Sequence, residues 1–260
     1  MRTAVILFNL GGPDRLEAVE PFLYNLFNDP AIISTPWPIR PLIAKLISSR
    51  RAPIAQETYK KLGGGSPLVA NTQAQADALG AALSDLGDVR CFQCMRYWTP
   101  RCETVVRDVL DFAPDRIVLL PLYPQFSTTT TASSFLEWRK AARANGLDAP
   151  SYEICCYPRQ SGFVAESARL IREGLRECAL AAKSELQPRL LFSAHGLPQK
   201  FVDKGDPYKR HVELCAEAIV EALKIESPVT EPLDWRVCYQ SRVGPLEWIR
   251  PYLEDEIEEA

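Results

Sequence analysis

The 260-residue chain has two histidines. One of them, His195, stands in the stretch LLFSAHGLP, after an apolar run of strand length and just before Gly196 and a proline. An imidazole where a buried strand surfaces into a loop can take up a proton or ligate a transition metal near neutral pH. A lone histidine near a strand end is more often a packed structural residue. Here, however, polar and aromatic residues cluster at the ends of the strand-like runs: Asn9, Arg96, Tyr97, Tyr123, Gln125, Ser193, Gln240 and Ser241. Ser193 does not make a hydrolase of the chain, because a serine two residues away on one strand cannot replace a triad and no G-x-S-x-G elbow exists. His211, in DPYKRHVELCAEAIVEAL, lies at the margin of the stripe Val212, Cys215, Ile219, Leu223 and reads as a surface residue.

The chain has eight cysteines, few for a disulfide scaffold of this size. Cys91 and Cys94 form a C-x-x-C within VRCFQCMRYW, but on a strand positions three apart face opposite ways. Cys155 and Cys156 are neighbours in YEICCYP and, read as strand, point apart for the same reason. Both pairs are expected to be buried, reduced thiols. Gly63 to Gly65 are not a phosphate loop, because no Gly-Lys-Ser/Thr follows and no strand leads in. They read as a flexible turn that tolerates a carboxylate.

The elements that must position these residues alternate. Strand-length runs (AVILFNL, VRCFQCM, RIVLLPLYP, YEICCYP, RLLFSAHGLP, WRVCYQSRVGP) are separated by segments with apolar residues at helical spacing: 14–28, 70–86, 101–113, 132–145, 161–182, 207–224 and 246–259. Asp206 before Pro207, and Thr99 before Pro100, read as helix starts. Such alternation predicts mainly parallel sheets covered on both faces, with ligands beyond the carboxyl ends of the strands. Residues 29–53 break the rhythm with prolines and a short amphipathic piece, Leu42, Ile43, Leu46 and Ile47.

Hydrophobic content of 47% and charged content of 24% suit a soluble globular protein, and a net charge of −3 argues against a nucleic-acid partner. The apolar start of the chain is short, ends in Gly-Gly-Pro and lacks a cleavage site, so it reads as a core strand and not as a signal peptide. No apolar run approaches a membrane span. A cytoplasmic location follows as the expectation.

The segments LFNLGGP, RRAPIAQETYKKLGGGSPL, MRYWTP, LPLYPQFSTTTTASSF, SAHGLP, GDPYKRHV and YQSRVGPLEWIRPYL resemble, in order and over essentially the whole chain, the ferrochelatase family. The resemblance implies an α/β fold of two similar doubly wound lobes, with parallel sheets flanked by helices and protoporphyrin IX held in a cleft between them. The N-terminal lobe would span 1–124 and carry a porphyrin-contacting lip. The C-terminal lobe would span 125–260, carry the active-site histidine and have strands near 152–156, 189–194 and 235–239. His195 matches the family's histidine, which would abstract pyrrole protons, bind Fe²⁺ as substrate, or both. Arg51, Tyr59 and Ser66 match positions that contact the porphyrin and its propionates. Arg96, Tyr97 and Tyr123 match cleft residues, Leu10 the position over the porphyrin face, and Trp248 a segment near the cleft. Residues 36–51 look like the family's hydrophobic lip, a place for peripheral membrane contact, with an amphipathic helix packed on its own lobe as the alternative.

The chain departs from the family twice. Some relatives hold an iron–sulfur cluster through a cysteine where Thr128 stands here, and through three more in a C-terminal extension, so no cluster is expected. After VGP..W the family continues into another strand and a motif S-E/D-H-x-E-T whose glutamate faces the histidine, whereas this chain stops at Ala260. The expectation is an incomplete second lobe and a weak or inactive chelatase. A non-catalytic porphyrin-binding protein and a cobalt chelatase of similar fold are the alternatives.

Overall fold

β1 (Arg2–Asn9) is buried along nearly its whole length, as a strand covered on both faces must be. The computed structural model describes residues 1–33, 35–181, 188–226, 233–242 and 244–260. After β1 come α1 (Val19–Phe27), α2 (Ile39–Lys61), α3 (Leu68–Ala82), β2 (Asp88–Met95), α4 (Cys102–Phe112), β3 (Arg116–Pro121), α5 (Thr131–Ala144) and β4 (Ser151–Glu153). The four strands make one parallel sheet in the order β2-β1-β3-β4. Alternation along β1 sends Ala4, Ile6 and Phe8 into a core with Val105, Val109, Phe112, Phe135 and Trp138 of α4 and α5. It sends Val5 and Leu7 the other way, against Ala76 and Leu79 of α3. Each large side chain so buried stabilises the fold by about 1.5–3 kcal/mol.

The second half of the chain gives α6 (Ser161–Ala181), β5 (Leu190–His195), α7 (Gln199–Asp203), α8 (Tyr208–Glu226), β6 (Trp235–Gln240) and α9 (Leu253–Glu258). β5 and β6 pair in parallel, with Leu190 opposite Trp235 and His195 opposite Gln240. The expected stripe of α8 is buried, and Cys215, Ile219 and Leu223 pack with Val164 and Ala168 of α6. The contacts divide the chain into two compact units: 1–123 with 128–156, and 124–127 with 157–260. Both sheets are parallel and flanked by helices, which is the α/β class expected.

Three local expectations are corrected. The strand expected near 152–156 in the second lobe is β4, three residues long and hydrogen-bonded to β3 in the first sheet. Pro150 O accepts from Ile117 N at 2.8 Å and Ile154 N donates to Leu119 O at 3.0 Å, while Leu147 and Ala149 pack on the first core. The short amphipathic piece expected within the proline-broken stretch 29–53 is instead the start of a long helix, α2, which begins at Ile39 and continues through Pro53. An interior proline removes a hydrogen bond and costs about 3 kcal/mol. Against that, Ala44, Ser48 and Ala52 are buried, Glu20 accepts from Lys45 Nζ at 2.6 Å and Ser49 Oγ at 2.7 Å, and Gln56 Nε2 donates to Leu16 O at 3.0 Å. Thr99 does not cap α4, whose N-cap is Arg101.

Candidate active site

In the first sheet, chain segments leaving the strands are laced together at their carboxyl ends. Arg96 N donates to Asn9 O at 2.8 Å, Tyr97 N to Leu10 O at 2.9 Å and Leu122 N to Phe8 O at 2.8 Å. This brings Leu10, Arg96, Tyr97 and Tyr123 to one end of the sheet, as parallel strands must. Leu10 and Tyr123 are half-buried there.

Arg96 and Tyr97 are tied inward. Arg96 Nη2 lies 2.7 Å from Asp29 Oδ2, its Nε donates to Ser133 Oγ at 3.0 Å, and its Nη1 pairs with Glu137. Glu137 also takes Arg101 Nη2 at 2.7 Å. Tyr97 donates its hydroxyl to the same Asp29 Oδ2 at 2.7 Å, and Ser133 Oγ does so at 3.1 Å. Burial, reinforced by the Asp29 charge, pushes the Tyr97 phenol far up, so it stays a donor. Tyr123 shares a 2.5 Å hydrogen bond with Ser134, and burial raises its phenol as well. Asp29, Ser133, Ser134 and Glu137 were absent from the sequence-derived candidates. Asp29 opens the proline-rich stretch that reads as a break, and no periodicity marks it.

The remaining candidates of this unit sit on α2 and the turn that follows. Arg51 is exposed, with its guanidinium 5.7 Å from the centre of the Phe27 ring. Tyr59 is half-buried, and burial raises its phenol. Gly63 and Gly64 take positive φ values of 90° and 96° with open space around them, a turn backbone that glycine adopts without steric cost. Gly65 differs: a Cβ there would lie 2.5 Å from Asp14 O. Ser66 N donates to Pro13 O at 2.7 Å, so this turn is stitched to the loop that follows β1 and Leu10.

In the second unit His195 ends β5 and is exposed. Its Nδ1 lies 2.7 Å from Gly196 O. A carbonyl oxygen only accepts, so Nδ1 carries a proton, and in the neutral ring Nε2 then keeps the lone pair. That is the arrangement of a ligating or basic imidazole oriented through its other nitrogen. Its own carbonyl oxygen accepts the Tyr208 hydroxyl at 3.0 Å. Gly196 N donates to Gln240 O at 2.7 Å, and a Cβ on Gly196 would come within 3.0 Å of the Trp248 ring. Ile249 N donates to Leu197 O at 3.0 Å and Gln199 N to Glu247 O at 2.9 Å, which seats half-buried Trp248 beside the residue that follows His195.

His211 is no surface residue. It is half-buried, and its Nδ1 accepts from Phe126 N at 3.2 Å. Asp206, buried, accepts from Ser127 Oγ at 2.9 Å and caps α8 by accepting Tyr208 N at 3.0 Å, as its place before Pro207 predicted. Among the described residues no cluster of three or more His, Cys, Asp and Glu side chains suits a metal ion, and no helix is long and apolar enough to cross a membrane.

Comparison with known proteins points to one family. Residues 2–260 match the family model described as Ferrochelatase. The ferrochelatase of Pelagibacter ubique is 48% identical over 262 residues, covering 100% of this chain and 73% of the relative. That of Caulobacter vibrioides is 49% identical, covering 100% and 72%. That of Rickettsia bellii is 45% identical over 259 residues, covering 99% and 69%.

Proposed function

The chain belongs to the ferrochelatase family, and from that premise we propose that it inserts ferrous iron into protoporphyrin IX, forming haem. The reaction exchanges two pyrrole protons for one Fe²⁺, so the site needs a base and a ligand for the arriving ion. His195 takes both parts in this reading. The observation that carries it is the 2.7 Å contact from Nδ1 to Gly196 O, which holds the ring in the tautomer whose Nε2 accepts a proton or a metal.

The proposed division of labour puts porphyrin recognition in the N-terminal half and the histidine in the C-terminal half. Arg51, Tyr59 and Ser66 offer charge and hydroxyl donors to propionates. Leu10 and Trp248 supply apolar surface for a flat macrocycle. Arg96, Tyr97 and Tyr123 complete the wall, stiffened by Asp29, Glu137 and Ser134. We further infer that iron enters only as substrate, since Thr128 stands where cluster-bearing relatives place a cysteine. Residues 36–51 are proposed to meet the membrane surface where porphyrins partition. Trp37 is 75% exposed, Leu42 72% and Leu46 51%, an unusual amount of apolar surface for one segment. A cytoplasmic, peripherally attached enzyme fits this reading.

The test is anaerobic addition of Fe²⁺ to the protein with protoporphyrin, following loss of free-porphyrin fluorescence. Fe²⁺-dependent, catalytic loss is expected. Porphyrin that binds but persists after Fe²⁺ would replace this reading with a non-catalytic porphyrin carrier.

A further inference from the structure

We propose that Cys155 and Cys156 form a bidentate dithiol site for one thiophilic metal ion, placed at the carboxyl end of the first sheet. The strand that precedes them stops at Glu153, so the alternation that would turn neighbouring side chains apart does not reach them. Their Sγ atoms converge to 3.0 Å. The backbone is anchored on both sides, by Ile154 N to Leu119 O at 3.0 Å and Tyr157 N to Pro124 O at 2.8 Å. Cys155 is exposed and Cys156 half-buried, so an ion from solvent can reach the pair.

The geometry chooses between a direct bond and a bridge. Consecutive Cα atoms lie about 3.8 Å apart, below the roughly 4.4–6.8 Å that an unstrained disulfide spans. A disulfide would also pull the sulfurs about 1 Å closer, to ~2.05 Å, against an anchored backbone. A bridging ion with metal–sulfur bonds of ~2.3 Å at a tetrahedral angle needs sulfurs about 3.8 Å apart, an opening of less than 1 Å that rotation of exposed Cys155 can supply. Bridging lengthens the ring and relieves the strain that a direct bond would add. Thiolate pairs select soft or borderline ions such as Zn²⁺ and Cd²⁺, and the remaining coordination positions fall to water or an added thiol. The other close pair, Cys94 and Cys102 at 3.3 Å, lies sealed in the core. Cys91 faces α3, away from Cys94, as strand alternation requires.

This inference stands apart from the chelatase reading, and its test reads no enzyme activity. Reduced protein is titrated with Cd²⁺ alone while thiolate-to-metal charge-transfer absorption is followed in the ultraviolet. One equivalent is expected to bind tightly. Cys155→Ser and Cys156→Ser are each expected to weaken that binding at least tenfold, and Cys178→Ser, at an exposed cysteine of α6, to leave it unchanged. In parallel, Cd²⁺ should protect Cys155 and Cys156 together from alkylation, read by peptide mass spectrometry on the wild-type chain. This second measurement decides the matter if a variant fails to fold. Unchanged Cd²⁺ affinity in both single variants, an equal loss in Cys178→Ser, or alkylation of Cys155 and Cys156 unaffected by Cd²⁺ would overturn the site.

Discussion

The Tyr208 hydroxyl donates to the main-chain carbonyl of His195 at 3.0 Å, while Asp206 accepts the Tyr208 N–H at 3.0 Å. The first turn of α8 therefore grips the end of β5 at the residue proposed to do the chemistry. Burial pushes the Tyr208 phenol up to about 12, so it remains a donor throughout the working range. Tyr208→Phe is expected to cost about 0.5–1.5 kcal/mol in stability and to lower kcat severalfold with KM for porphyrin little changed. A rise in KM with kcat intact would mean that Tyr208 serves binding and not the placement of His195.

His195 and His211 should separate cleanly. His195→Ala is expected to reduce chelatase turnover by roughly 10²–10⁴, the worth of a positioned acid–base group, with porphyrin affinity kept within a few-fold. His211→Ala should instead leave Phe126 N–H without its acceptor and cost about 1–3 kcal/mol of stability. Steady-state kinetics and urea unfolding on both variants measure the contrast, and like behaviour would remove the catalytic role from His195.

Asp29 balances a buried guanidinium. Its side chain is 2% exposed and that of Arg96 13%, and three donors converge on one of its oxygens. Asp29→Ala should destabilise the fold by about 3–5 kcal/mol, because it strands buried charge. Asp29→Asn should cost less, since it keeps one acceptor. Urea midpoints for the two variants check the order, and equal midpoints would show that the charge is solvated in place.

Gly196 leaves no room for a methyl group. A Cβ would meet Gln240 O at 2.9 Å and the Trp248 ring at 3.0 Å, and a carbonyl held in the sheet cannot move aside. Gly196→Ala is expected to cost about 1–3 kcal/mol and to shift tryptophan emission as the indole is displaced. An unaltered emission spectrum would count against the contact.

Arg51 is exposed and lies 5.7 Å from the centre of the Phe27 ring. As a propionate anchor, its replacement by alanine should weaken porphyrin binding by about 1.5–3 kcal/mol. The loss should vanish with an esterified porphyrin, which binding titrations of the two porphyrins would show.

What was legible in the sequence followed periodicity. β1, β3, β5, β6 and the buried stripe of α8 are marked by apolar residues at strand or helix spacing, and His195 is marked by its place after such a run. Helix α2 was legible only in part, as a short amphipathic piece, because its buried stripe is Ala44, Ser48 and Ala52, small and partly polar, while Ile39, Leu42, Leu46 and Ile54 are exposed and a proline interrupts it. Asp29 was missed because a carboxylate declares itself only through partners distant in sequence, here Arg96 and Ser133. Cys155 and Cys156 were misread because the strand ends at Glu153, three residues before the expected strand does. The pairing of β4 with β3 depends on the short path back from α5, which composition does not encode.

The two histidines hold opposite tautomers, with His195 protonated at Nδ1 and His211 accepting at Nδ1. In a nitrogen-15 spectrum selective for imidazole rings, the protonated and bare nitrogens fall in well-separated regions, and the two rings should show exchanged patterns. Each signal then assigns itself without a variant. An ion arriving at Nε2 of His195 would perturb one pattern and leave the other as a reference inside the same molecule, so metal arrival becomes visible apart from turnover.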